Sequence, residues 1–347
     1  MRGQTGMAPR NLMNSFLKSC FCALAIFAPG RLAMAAEEIN GAAIAERLQA
    51  TPAHSGLKMD GYFIWDSSVI KVGDTYHLFS SRWPKGHPFP DDYRRHSEII
   101  RATAKNPLGP YEFQEVVLSK RGGSQWDSVM SRNPAIRKIG DTYVLFYVGS
   151  DDHNLEPGGK GLPLRRIGYA TAKSVTGPWL QSDQPVFQGD STGPAVCIED
   201  DGSVKMVFRT ASLQVKLATA PNFRGPYTVV NENVWPADRL EDFDFFKARG
   251  QYYIICEDNV GGVTGHERWG ALLTSRDGVT NWAPMNRTAA YDHSIRFADG
   301  TKLESNRRER PAVFIENGEM TVLFTAVYDG QDSWCQPVPL SPPLRIN

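Results

Sequence analysis

Two stretches decide the fold: Trp65–Phe79, reading WDSSVIKVGDTYHLF, and Ile136–Phe146, reading IRKIGDTYVLF. The first opens with Asp66 near its head, runs as an apolar strand over Ser68–Val72, turns at Gly73-Asp74 and continues as a second alternating strand from Thr75. Gly-Asp between two β-rich runs is a hairpin signal, because tight turns require positive φ. The second stretch repeats VIKVGDTYHLF almost residue for residue, so the hairpin is a recurring unit rather than an isolated feature.

The flanking segments recur as well. Arg101-Ala102-Thr103-Ala104 before Gly109-Pro110-Tyr111, Tyr169-Ala170-Thr171-Ala172 before Gly177-Pro178-Trp179, and Leu217-Ala218-Thr219-Ala220 before Gly225-Pro226-Tyr227 follow one plan. Each is a strand ending in small residues, a Gly/Pro turn and an aromatic that opens an outer strand. Three more inner stretches, Gly193–Arg209, Glu241–Asp258 and Arg310–Val327, turn at Asp201-Gly202, Arg249-Gly250 and Asn317-Gly318. Five copies of a roughly 50-residue unit predict an all-β chain folded as a five-bladed β-propeller, with blade one over Tyr62–Leu118. A β-sandwich would not produce strand-turn-strand copies at this spacing.

Ahead of the repeats, Arg2, Arg10 and Lys18 precede an apolar run, Cys20–Ala28, and Ala33-Met34-Ala35 forms a small-x-small site. That pattern predicts a signal peptide over 1–35 and an exported protein, periplasmic or extracellular. Residues 36–58 are expected to carry a short amphipathic helix within Ala36–Leu48, on the propeller rim or joining two protomers, so the chain is read as a monomer or a homodimer. Residues 59–347 are the propeller. Lys+Arg and Asp+Glu number 38 each, so no global field favours nucleic acid or a membrane. Beyond the signal segment Cys197, Cys256 and Cys335 form neither a disulfide framework nor a zinc pattern, and each is expected to be a buried small hydrophobe.

In a propeller the first strand of each blade lines the central channel, so residues at the strand heads converge from distant positions. Those heads are expected to be Asp66, Asn133, Gly193, Asp242 beside Glu241, and Glu309. Carboxylates at matched positions are costly in a sealed core and point to chemistry. Trp65, Trp83, Trp126 and Trp269 near the blade mouths offer indole faces to sugar C–H surfaces, with blade packing as the plainer role. Arg82, Arg132, Arg209, Arg308 and Arg310 fall at or near inner-strand ends, where one or two are expected to pair with the site carboxylates and hold them ionised. Several facing the channel together would suit an anionic sugar. The long loop Ser150–Arg166 is a candidate lid. Within it Asp151-Asp152-His153 lacks metal-ligand spacing.

The Asp-strand-GD-YxLF unit, the ATAKNPLGPY and ATAKSVTGPW repeats and RRERPAVFIENG (Arg307–Gly318) together resemble the five-bladed propeller glycoside hydrolases of families 43 and 117. The resemblance spans Gly61–Val327. It implies an exo-acting, inverting glycosidase acting on an oligosaccharide, with Asp66 as general base, Asp242 as a carboxylate that tunes the acid or orients substrate, and Glu309 as the third acid. Family 43 usually carries a proline after the blade-one Asp, where this chain has Ser67. The order of acids is closer to family 117, whose proton donor is a histidine, so Glu309, Glu241, His266 and His293 all stand as candidate donors. No cofactor is implied, although a structural channel ion such as Ca²⁺ is compatible with the resemblance. Two alternatives remain: a propeller that binds sugar without cleaving it, and a retaining enzyme of the fructosyl-processing kind.

Overall fold

The computed structural model describes residues 38–86, 88–152, 163–237 and 239–347, so the expected signal peptide and His153 lie outside the described residues. In chain order, the expected N-terminal helix is a single turn, α1 (Gly41–Ala45), capped by the Asn40 side chain, which accepts from the Ala43 amide at 2.9 Å. Blade I comprises β1 (Tyr62–Val72), β2 (Thr75–Pro84), β3 (Glu98–Ala104) and β4 (Glu112–Leu118), with α2 (Tyr93–His96) between β2 and β3. Blade II holds β5 (Met130–Ile139), β6 (Thr142–Asp151), β7 (Leu164–Ala172) and β8 (Leu180–Gln181). Blade III holds β9 (Thr192–Ile198), β10 (Val204–Arg209), β11 (Val215–Ala220) and β12 (Thr228–Asn231). Blade IV holds β13 (Leu240–Ala248), β14 (Gln251–Asp258), β15 (Trp269–Ser275) and β16 (Ala283–Pro284). A small hairpin, β17 (Ser294–Arg296) and β18 (Lys302–Glu304), precedes blade V, which has β19 (Arg307–Glu316), β20 (Glu319–Tyr328) and β21 (Ser333–Arg345). The fold is the five-bladed propeller that the repeats predict.

The hairpin turns follow their chemistry. Val72 pairs with Thr75 across Gly73-Asp74, and Ile139 with Thr142 across Gly140-Asp141, with each glycine at positive φ. At Arg249-Gly250 and Asn317-Gly318 both central residues take positive φ, as a type I′ hairpin requires.

The repeated Leu-Phe of the second strands explains why blades must stack in a ring. Successive strand residues point to opposite faces. Leu78 therefore packs towards blade V with Phe324, while Phe79 packs towards blade II with Leu145. Phe146 then faces blade III. Ile254 and Ile255 divide in the same way between blades III and V, as do Leu323 and Phe324 between blades IV and I. Five apolar clusters fill the five blade junctions, and none can form within one blade alone.

Closure uses the segment before β1. Blade V has three strands of its own, and Leu48 and Leu57 bridge antiparallel to Leu340 and Cys335 on β21. This pairing is why α1 stops after one turn: from Leu48 the chain is committed to an extended edge, where Leu57 and Cys335 exchange two backbone hydrogen bonds of 3.0 Å. The apolar face of the N-terminal segment, Ile39, Ala43 and Ile44, is buried against Tyr291 and Leu340. The three cysteines are free and buried, as expected.

Candidate active site

All five innermost strands break register at the same level. Two residues oppose one in each: Asp66-Ser67 opposite Ser80, Asn133-Pro134 opposite Tyr147, Gly193-Pro194 opposite Phe208, Asp242-Phe243 opposite Cys256, and Arg310-Pro311 opposite Thr325. These are β-bulges, which re-aim side chains at the rims of β structures. The first bulge residue has positive φ throughout, 65°, 51°, 65°, 57° and 55° in that order. Asn, Gly and Asp tolerate that region, whereas an arginine there is uncommon and has to be held by its surroundings. Proline suits the second position because the interrupted ladder does not need its missing N–H.

The register corrects one expectation. Arg310, not Glu309, completes the ring of Asp66, Asn133, Gly193 and Asp242, and Glu309 stands one residue earlier, level with Trp65, Arg132, Thr192 and Glu241. Arg310 lies between the two ring carboxylates, with Nε 3.1 Å from Asp66 Oδ1 and Nη2 3.0 Å from Asp242 Oδ1. The Nε contact is an ion pair without hydrogen-bond alignment. Burial works against the Arg310 charge, but Asp242 and Asp66 outweigh it and raise its pKa.

Asp66 is 4% exposed and meets donors only. Ser81 Oγ donates to its Oδ2 at 2.5 Å and Asn133 Nδ2 to its Oδ1 at 2.7 Å, while Ser81 Oγ accepts from the Asn133 amide at 3.0 Å. The Asp66 carbonyl accepts from Ser80 Oγ and Cys335 Sγ, which fixes the bulge from behind.

Across the ring lie three acids. Asp242, Glu257 and Glu309 present carboxylate oxygens all within 4.8 Å of one another, and each is buried. Arg268 Nη1 bridges two of them, 3.0 Å from Glu257 Oε1 and 2.9 Å from Glu309 Oε1, and Arg307 Nη1 is 3.6 Å from the latter. Burial, reinforced by Asp242, raises Glu309 to about 7 against the pull of Arg307, Arg268 and Arg310. Burial likewise raises Asp242 and Glu257, and carboxylate neighbours add to both shifts. Burial and mutual repulsion thus favour the neutral form of all three carboxyls, and the titration belongs to the group rather than to one residue.

The residues do not fit a resident metal. The cationic position within the acid cluster is taken by Arg268, which a divalent ion would have to displace. In the central cavity below the ring, about 670 Å³ between the inner strands, Asp244 and Glu316 are held by Arg137 and Lys71. Asp151 is bonded to Arg166.

The remaining candidates divide by place. Glu241 is engaged by Arg209 and by Arg239. Trp65 and Trp83 are buried beside Phe89, and Trp126 is buried with its Nε1 donating to the Ser182 carbonyl, so these indoles are packing elements. Arg82 pairs with Glu98 and stacks on Tyr62, and Arg308 donates to the Asp292 and Ser294 carbonyls, so neither touches the ring carboxylates. His266 is exposed and stacks on Trp269 at 3.8 Å, and His293 Nε2 lies 3.1 Å from the Arg268 carbonyl. Among the described residues, neither imidazole bonds to a site carboxylate. Glu257 and Arg268 are the residues that strand-head reasoning missed. The available signal was the acid at the end of β14, since a second strand returns to the face from which the first departs.

No family model matches the sequence, and no curated protein matches it. Solved structures do match the fold. They include Zg3597, a family 117 glycoside hydrolase from the marine bacterium Zobellia galactanivorans, at 14% identity, covering 84% of this chain and 89% of that one with a TM-score of 0.62. The α-L-arabinofuranosidase PaAbf62A from Podospora anserina, solved with cellotriose, is 14% identical over 86% of this chain and 98% of its own, with a TM-score of 0.61. A GH43_1 enzyme from Xanthomonas citri is 14% identical over 87% and 93%, with a TM-score of 0.58. The chain shares the five-bladed propeller of these glycoside hydrolases across nearly their full length.

Proposed function

We propose that the protein is an exported, exo-acting glycoside hydrolase that cleaves an oligosaccharide with inversion. Asp66 takes a proton from the attacking water, and Glu309 donates one to the leaving oxygen. The carrying observation is the contrast between two carboxyls linked through Arg310 and Asp242: Asp66 surrounded by donors, and Glu309 raised to about 7 by burial and Asp242. Asp66 stands outside the group of three close acids, as a base that must leave room for water should. The recessed carboxylates, 4–7% exposed, favour chain-end binding over an open cleft. The fold neighbours, which include a family 117 glycoside hydrolase and an arabinofuranosidase solved with cellotriose, support a carbohydrate substrate.

A second reading draws on the spacing of Asp242 and Glu309, below 4.8 Å and so nearer the retaining range of about 5–5.5 Å. Against it, Asp242 is itself raised by burial and bound to Arg310, which ill suits a nucleophile. The test is a screen of plant and algal oligosaccharides, with NMR of the first-formed anomer of whichever one is cleaved. Inversion supports the Asp66–Glu309 pair. Retention overturns it in favour of Asp242 as nucleophile.

A further inference from the structure

The site is electrostatically lopsided. Around the acids, carboxylates and guanidiniums are matched: Arg310 with Asp66 and Asp242, Arg268 with Glu257 and Glu309, Arg209 with Glu241. On the side of blades I and II, Arg165 is matched by Asp190. Arg308, buried and also without a carboxylate, spends donors on the Thr325 hydroxyl and the Asp292 and Ser294 carbonyls, which leaves Arg132 as the guanidinium near the site with neither kind of partner among the described residues. Arg132 is 6% exposed, its Nε is buried without a hydrogen-bond partner, and among the described residues it has no carboxylate partner. Its guanidinium packs against the ring of Tyr93 on α2, 4.2 Å from the guanidinium carbon.

A buried cation with no hydrogen-bonded carboxylate is expensive, even with the Asp66 charge nearby. The Tyr93 face offsets part of that cost, but it leaves the planar N–H donors of the guanidinium unused. Their position is informative. Arg132 immediately precedes Asn133, whose amide group holds Asp66, and Asp66 acts electrostatically on Arg132. The surroundings are positive enough to lower the Tyr93 phenol: burial acts to raise it, yet Arg132, Arg94 and Arg165 outweigh burial. An anion arriving here would meet an unspent guanidinium fork beside the reacting carboxylate. A neutral sugar would leave that fork unpaired.

We propose that Arg132 is a specificity residue that pairs with an anionic group on the substrate, the carboxylate of a uronate or a sulfate ester, held next to Asp66. The inference rests on the glycoside hydrolase reading for the word substrate, but the binding site stands independently of turnover. Guanidinium forks match both carboxylate and sulfate, so the two sources are separated by probe rather than by geometry.

The experiment is calorimetric titration of the wild-type chain, Arg132→Met and Arg132→Lys with inorganic sulfate, D-galacturonate, D-glucuronate, galactose 6-sulfate, galactose and glucose. Each titration is repeated in Asp66→Asn, which removes the proposed base. In the wild type, at least one anionic probe is expected to bind saturably, and anionic sugars to bind tighter than their neutral counterparts. In Arg132→Met the anionic probe should lose about tenfold or more in affinity while the neutral sugars are unchanged, and Arg132→Lys should recover part of that loss. A preference for galacturonate or glucuronate identifies a uronate, and a preference for galactose 6-sulfate a sulfate ester. Three results would overturn the inference: no saturable anion binding in the wild type, anion binding unaffected by Arg132→Met, or equal losses for charged and neutral sugars. The last is what a residue serving only to position Asp66 would give. Should Arg132→Met fail to fold, Arg132→Lys carries the test: anion affinity the same in it as in the wild type would overturn the inference, and a loss confined to the anionic probes would support it. Anion binding through Arg132 in a chain that cleaves nothing would defeat the hydrolase reading and leave this inference standing. Cleavage of neutral sugars with no anion binding would do the reverse.

Discussion

Replacing Glu309 with glutamine should make the protein more stable at alkaline pH and leave it nearly unchanged in acid. Burial and Asp242 raise the carboxyl from its ordinary 4.5 to about 7, so the folded state binds a proton that the unfolded chain releases throughout that window. Stability attached to a raised carboxyl is fully present below pH 4.5 and is lost as pH climbs through 7. The displacement from 4.5 to about 7 corresponds to about 3 kcal/mol at full ionisation. Glutamine carries no charge and avoids that loss. The variant-minus-wild-type difference in unfolding free energy should therefore be near zero at pH 4.5 and rise to about +3 kcal/mol by pH 8. Asp242 and Glu257 share the site, so removing one charge also eases their ionisation and does not reverse the sign. Urea unfolding of both proteins at half-unit pH steps measures the difference directly. A difference that is flat with pH, or that falls as pH rises, would show that Glu309 is not held protonated and would remove the proposed acid.

Two further predictions use the same geometry. Arg268→Met takes away the cation that bridges Glu257 and Glu309, so the alkaline limb of the kcat/KM profile should move up by about one to two units; an unmoved limb would separate Glu309 from proton donation. Leu57→Ala weakens the closing contact between the N-terminal segment and β21, and should cost about 2–5 kcal/mol by denaturant titration; a loss below about 1 kcal/mol would mean that the ring holds without this closure.

The repeats made the blades legible because a propeller writes its packing into sequence. The Leu-Phe pairs of β2 and β6 face opposite neighbours, and the Gly-Asp turns permit only tight hairpins. Asp66 and Asp242 were legible for a related reason, since a head residue is fixed by the strand it precedes. The fifth head was misread although the signal was present. Asn133-Pro134-Ala135, Gly193-Pro194-Ala195 and Arg310-Pro311-Ala312 align directly, and the bulge follows the residue before proline. Chemistry favoured the acid at 309, whereas register chose the arginine at 310. Glu257 had a signal, the acid at the end of β14, that attention to first strands passed over, whereas Arg268 lies in the loop after it, where strand patterns do not report what reaches the centre. The unpaired state of Arg132 was also invisible, because pairing is a property of three-dimensional neighbours.

The most direct test of the central claim is turnover by Asp66→Asn on an oligosaccharide that the wild type cleaves. Asparagine keeps the size of the side chain while removing the proton acceptor, so kcat/KM should fall about a hundredfold or more with the fold intact by circular dichroism. Activity within about tenfold of the wild type would contradict the assignment of Asp66 as the base.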